Sequence, residues 1–307
     1  MELQQLRYFV AVAQLANFTR AAQKCFVAQP SLSQQIIKLE REFGGPLFDR
    51  TGRKVRLTDR GRVLFDRAIE ILAAVDGTKR AMTEEADAGQ ITVGAIPTIA
   101  PYLLPPLLKR FLRDHPKTEV TVSENLTEYT IQACLEGDVD VGVLALPVAE
   151  EQLAVEPLLT EELLLATTVG HPLVAKRTVT MQDVSKERFV LLSETHCLGQ
   201  QVLSFCKDQS CHPAVSCRSA QLLTVQELVA LGHGVSLIPQ MAVSADRSQQ
   251  TKYRSLSGEK PTRTIAMIWR KNRYHSPAVE RFIGALRDYA ANGHAANGRR
   301  KRAHAEH

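Results

Sequence analysis

Apolar side chains recur at helical spacing from the first turn of the chain. Leu3, Leu6, Phe9, Val10, Val12 and Ala13 fall on one stripe and predict a helix over residues 3–15. Asn17 suits the N-cap of a second short helix, Phe18 to Cys25, where Ala21 and Ala22 are small enough for another helix to cross closely. A turn at Phe26-Val27-Ala28 follows, and Pro30 fits the first turn of a third helix. Leu32, Ile36, Leu39 and Phe43 share one face of it; Gln34, Lys38 and Arg41 lie opposite, with Ser31 at the edge. Two short strands around the basic turn Arg50-Thr51-Gly52-Arg53-Lys54 come next. Thr58 then caps a long helix from Asp59 to about Ala86, whose apolar edge (Val63, Leu64, Ala68, Ile71, Leu72, Val75, Met82) suits helix pairing between two chains.

Past a small, polar stretch at 86–90 the pattern becomes strands alternating with helices. Strands are expected at 91–96, 120–122 and 139–146, with helices at 103–112 and 125–136. After Leu158 the pattern restarts, with strands at 163–167, 189–192, 235–239 and 265–269. Helices are expected from about Leu198, at 225–231 and at 278–290. This alternation predicts a parallel α/β arrangement in two lobes with a cleft between them. Residues 291–307 are small, polar and basic, and are expected to be a disordered tail.

Length and charge sharpen the division. A chain of 307 residues suits two or three folded units. No apolar run is long enough to span a membrane, and no secretory signal opens the chain, so a cytoplasmic protein is expected. Residues 1–60 carry ten Lys/Arg against five Asp/Glu, while the middle of the chain is slightly acidic. A basic head on an acidic body suits a polyanion-binding module joined to something else. Two short helices, a tight turn and a helix with a polar amino end form the geometry that enters a DNA major groove. Gln29, Pro30, Ser31, Ser33, Gln34 and Lys38 are therefore the candidate DNA-contacting positions on the third helix, and Arg50 and Arg53 those of a wing along the phosphate backbone. No cofactor fingerprint or metal set is apparent, and the architecture does not suggest an enzyme.

Six cysteines occur, four of them between residues 197 and 217. A helix through Cys197 and Cys206 separates their Cα atoms by about 13–14 Å. A disulfide needs less than about 7 Å, so joining them requires local refolding, as a redox switch does. Inert, buried thiols satisfy the same spacing. Cys206, Cys211, His212 and Cys217 fit no familiar zinc finger.

Several segments in order resemble the LysR-type transcriptional regulators. They are Leu6 to Ala13, Phe18 to Ala22, Gln29 to Ile36 with Leu39-Glu40, and Leu47 to Arg50 with Leu57 to Gly61. The resemblance extends over about residues 1–290. It implies a winged helix-turn-helix at 1–58, a linker and dimerisation helix at 59–88, and a sensor domain at 89–290 shaped like a periplasmic binding protein. Lobe I is then expected at 91–160 and 265–290, and lobe II at 161–264. It further implies binding to double-stranded DNA as a dimer or tetramer, and contact with RNA polymerase as an activator.

A narrower resemblance, to a hydrogen-peroxide-sensing branch of that family, lies in His196-Cys197-Leu198 with Cys206, Ile96-Pro97-Thr98, Pro101 to Pro105, Thr127 and Arg263-Thr264-Ile265. By it, Cys197 is the peroxide-reactive thiol and Cys206 its resolving partner, with Thr98, Thr127, His196 and Arg263 lining a peroxide pocket. Gln200 stands where better-known members carry an aspartate that assists proton transfer, which puts the oxidation rate in question. The alternative is a regulator that answers a small metabolite in the cleft, with its cysteines unused.

Overall fold

The computed structural model describes residues 1–49, 55–83 and 88–303, without side-chain detail at 80–83 and 292–303. It contains two compact units, one running through the long fourth helix and including Asn272–Ser276, the other made of the rest of the chain from the following strand onward.

The first unit opens with α1 (Leu3–Leu15), α2 (Phe18–Lys24) and α3 (Gln29–Glu42). Their core is Leu6, Phe9 and Val12 of α1, Ala21 and Ala22 of α2, and Leu32, Ile36 and Leu39 of α3. Asn17 caps α2 as expected, its side chain accepting from the Arg20 N–H at 3.0 Å. Leu3 and Phe43 do not join this core. They sit at the first residue of α1 and at the C-cap of α3, and both are exposed. Strands β1 (Phe48–Asp49) and β2 (Arg56–Leu57) pair antiparallel. Helix α4 (Asp59–Thr83) starts at Thr58, whose Oγ1 accepts from the Gly61 N–H at 3.0 Å. Leu64 and Ala68 of α4 are buried, whereas Val63 is exposed.

The second unit runs through β3 (Gly89–Ala95), α5 (Ala100–Asp114), β4 (Thr118–Glu124), α6 (Thr127–Glu136), β5 (Val141–Ala145) and β6 (Leu153–Thr168). Then come α7 (Pro172–Ala175), α8 (Met181–Val184), β7 (Arg188–Leu192), α9 (Cys197–Asp208), β8 (Ala214–Ser219) and α10 (Leu222–Ala230). It closes with β9 (Ser236–Pro239), α11 (Gln240–Ala245), β10 (Thr251–Arg254), β11 (Thr262–Arg270) and α12 (Pro277–Ala303).

The sheet is mixed, which corrects the expectation of an all-parallel arrangement. Strand β3 runs parallel to β4 and β5, but β11 lies antiparallel between β5 and β6. The reason is connectivity. Strand β11 arrives from the other lobe and enters lobe I from the end opposite to β3 and β5. The expected strand at 163–167 is the second half of a sixteen-residue strand. Residues 153–162 of β6 pair with β11 in lobe I; residues 163–168 pair with β9 and β10 in lobe II. Lobe II also holds the parallel pair β7–β8, bridged to Val235 through Phe189. Each lobe has its own apolar core, one around Leu103, Val143, Ile268 and Phe282, the other around Leu165, Phe189, Val202 and Val229.

Helix α12 does not stop near Ala290, where the final helix was expected to end, but continues to Ala303. The segment has no proline after Pro277 and is rich in Ala, Arg and Lys, all good helix formers. Residues 304–307 lie outside the described residues. Among the described residues, no helix is long and apolar enough to cross a membrane.

Candidate functional site

Helix α3 presents its polar face outward. Gln29, Pro30, Ser31, Gln34 and Lys38 are exposed and Ser33 is half-buried, with Gln29 Nε2 donating to Ser33 Oγ at 2.9 Å. Pro30 occupies the first turn, and no acidic residue stands there. A helix amino end without a carboxylate of its own favours an anion such as phosphate. Glu40, one of the residues that carry the family resemblance, also has a structural task. Its Oε1 accepts from the backbone N–H of Leu47 at 2.9 Å and of Phe48 at 3.3 Å, fixing the start of β1 to α3. Arg50 and Arg53 lie outside the described residues.

In the second unit an open cleft of about 710 Å³ separates the lobes. Leu126, Thr127, Glu128, Ala145 and Pro147 line it from lobe I; Glu194, Thr195, Cys197, Gln200, Gln201 and Ser204 line it from lobe II. Cys197 is the first residue of α9 and packs partly against the core of lobe I. The amino end of a helix attracts negative charge, and the Cys197 side chain stands at that end. Gln201 Nε2 donates to the Leu146 carbonyl at 2.8 Å and ties α9 to the opposite lobe. Gln200 Nε2 donates to the Glu194 carbonyl at 2.8 Å. Helix α9 can lie this close to β7 because residue 199 is glycine. A Cβ there would stand 2.6 Å from the Leu192 carbonyl oxygen and 2.7 Å from that of Ser193.

Cys206 points the other way, into the core of lobe II, where it is fully buried. Burial, with Cys211 beside it, pushes its thiol up to about 12. All six cysteines are free thiols.

The four residues expected around the peroxide are not gathered into one cavity. Thr127, the first residue of α6, shares the cleft with Cys197. Thr98 and Arg263 are buried in a separate network at the crossing between lobes. Arg263 donates through Nε to Glu161 Oε1 at 2.8 Å, through Nη1 to Thr98 Oγ1 at 3.0 Å, and through Nη2 to the Thr98 carbonyl at 3.0 Å. Glu161 Oε2 accepts from the Met241 N–H at 2.8 Å. The sequence reading missed Glu161, the counter-charge of Arg263. His196 is buried as the N-cap of α9, with its ring near the backbone of Ala220 and making no side-chain cap bond. Burial holds its pKa below the usual histidine range.

Two family models match the chain, the LysR substrate binding domain over residues 84–291 and the bacterial regulatory helix-turn-helix of the lysR family over residues 3–62. The chain belongs to the LysR family of transcriptional regulators. This LysR-family regulator is 34% identical over 292 residues to the "Hydrogen peroxide-inducible genes activator" of Dickeya chrysanthemi, covering 94% of this chain and 96% of that protein. Full-length OxyR from Pseudomonas aeruginosa superposes with a TM-score of 0.74 at 32% identity, covering 94% of both chains. A hydrogen-peroxide-bound cysteine mutant of Corynebacterium glutamicum OxyR gives a TM-score of 0.62 at 30% identity, with 97% of both chains covered. The regulator is thus homologous to OxyR over nearly its whole length, head and sensor together.

Proposed function

We propose that this LysR-family regulator senses hydrogen peroxide through Cys197. The observation that carries the reading is the setting of α9, with Cys197 open to the cleft at its first position and Cys206 buried nine residues on. The Cys197 sulfur attacks one peroxide oxygen, the O–O bond breaks, and sulfenic acid and water form. The Cys206 thiol then condenses with the sulfenic acid, releasing a second water and leaving a disulfide. Thr127 orients the peroxide beside Cys197. Thr98, Arg263 and His196 support the site from behind, Arg263 by fixing Thr98 and His196 by holding the start of α9. The disulfide cannot span an intact α9, so its formation refolds part of lobe II. That change alters packing between sensor domains and the angle between DNA-binding dimers.

On the DNA side, α3 enters the major groove with Gln29, Ser31, Ser33, Gln34 and Lys38 near base edges and phosphates, Pro30 shaping its entry. Arg50 and Arg53 follow the backbone. The active species is a dimer or tetramer in the cytoplasm that contacts RNA polymerase, and its chemistry is stoichiometric rather than enzymatic. The test is peptide mass spectrometry after one equivalent of peroxide, with Cys197→Ser as control. A rapid Cys197–Cys206 bond, absent in the control, supports the switch; unreacted thiols refute it.

One observation favours a second reading. The cleft has the size of a small-molecule site, and Gln201 Oε1 there is buried without a hydrogen-bond partner. A metabolite bearing a donor would satisfy it. An oxidant response unchanged in cysteine-to-serine variants would favour that reading.

A further inference from the structure

Helix α9 ends in an arrangement that joins two thiols. Ser210 takes a left-handed conformation, φ 54°, just past the C-cap Gln209. The Ser210 N–H donates to the Lys207 carbonyl at 2.9 Å, and the Cys211 N–H reaches back to the Cys206 carbonyl at 2.8 Å. These two bonds are the Schellman motif, which brings the residue after the left-handed position against the third residue from the helix end. An apolar contact usually fills that place. Here the pair is Cys211 and Cys206, both buried in the core of lobe II, with Cys211 near enough to act on the Cys206 thiol. The fold of the reduced chain therefore holds Cys206 against Cys211, and holds it away from Cys197.

We infer that Cys211 is a third redox-active residue, which takes the disulfide over from Cys197 by attacking Cys206. The inference rests on the peroxide reading above. Once Cys197 and Cys206 are joined, the Cys211 sulfur, five residues from Cys206 in the chain, attacks the Cys206 sulfur. The Cys197–Cys206 bond breaks, and Cys197 leaves as thiolate and recovers a proton from solvent. The proton lost by Cys211 goes to solvent, so the exchange needs no added oxidant or reductant. The product, a Cys206–Cys211 bond, joins residues that the helix end already holds side by side in the reduced fold, so α9 can reform. The regulator would then return to its resting shape without a reductant, but with its resolving thiol consumed. Burial raises both thiols above the ordinary cysteine range, which keeps the resting pair from reacting with peroxide directly. Cys217 stands apart on β8, with its thiol toward the Arg218 carbonyl at 3.8 Å.

The test uses the full-length reduced chain, one equivalent of hydrogen peroxide and a time course quenched by alkylation. Trypsin cuts after Arg188, Lys207 and Arg218, which leaves Cys197 and Cys206 in one peptide and Cys211 and Cys217 in the next. A Cys197–Cys206 bond is then a loop within one peptide, and a Cys206–Cys211 bond is a cross-link between two, assigned by fragmentation. The expected course is a loop that forms first and gives way to the cross-link while Cys197 becomes alkylatable again, at one disulfide per chain throughout. Cys211→Ser and Cys211→Ala should both keep the loop as the final product. A loop that persists in the unmodified chain overturns the relay alone. So does a cross-link that forms equally fast in Cys197→Ser. A Cys197 that never reacts overturns the peroxide reading and the relay together.

Discussion

Oxidation should unwind α9, and the structure sets how much. Nine residues of helix advance about 13.5 Å and turn through two and a half turns, so Cys197 and Cys206 sit on opposite sides of the axis. Their Cα atoms must approach by about 7 Å before a bond can form. The face that leaves with Cys206 also carries Leu198 and Val202, buried in lobe II. Exposing those two side chains costs about 3–6 kcal/mol, at about 1.5–3 kcal/mol each. The bond cannot span the intact helix, so the oxidised segment should trade its helix for the bond rather than keep both. The amides of residues 201–206 should then lose about 3 kcal/mol of protection, which is about a hundredfold faster hydrogen exchange. Hydrogen–deuterium exchange of the reduced and oxidised protein measures this, with Cys206→Ser exposed to peroxide as control. A mapped Cys197–Cys206 bond with α9 exchange unchanged would refute the reasoning.

Three further outcomes follow from the site. Glu161→Ala leaves Arg263 buried without its counter-charge and the Met241 N–H without its acceptor, which should destabilise the sensor unit by about 3–5 kcal/mol; a urea midpoint implying less than about 1 kcal/mol would contradict the network. His196 has a lowered pKa in the folded state, so the unfolded chain binds its proton first; stability is full above the ordinary value of 6.5 and falls as pH drops below it. Denaturation midpoints at several pH values should show this loss in the unmodified chain and a smaller one in His196→Gln; equal loss in both would assign it elsewhere. Gln200→Asp places a titratable carboxylate in the cleft beside Cys197 and should raise the rate of Cys197 oxidation, by about tenfold or more if proton transfer limits it. Stopped-flow kinetics with excess peroxide would show the opposite if the rate is unchanged or falls.

The head was legible because helical periodicity carried its core: Leu6, Phe9, Leu32, Ile36 and Leu39 are buried where their spacing puts them. The thiol spacing was legible for the same reason, since α9 does span both cysteines. Strand directions were not, because alternation of strands and helices does not reveal that β11 re-enters lobe I from the far end. Glu161 was missed because Glu161-Glu162 reads as a solvated pair in a strand, and only the fold shows Arg263 folding back onto the first of them. The Cys206–Cys211 contact depends on a left-handed serine, and serine has no strong preference for that conformation that a sequence reading could use.

Strand β6 belongs to both lobes without a break, and its partners change between residues 162 and 163. Side chains along a strand alternate faces with a period of two, so from the bulge at Leu158 onward the two lobes share one phase. Adding or removing a single residue at that junction would leave lobe I in register and turn Leu163 and Leu165 outward in lobe II. Two residues would restore the parity. The junction therefore acts as a parity constraint on the gene: length changes there are tolerable only in even steps, whereas the surface loops on either side carry no such restriction.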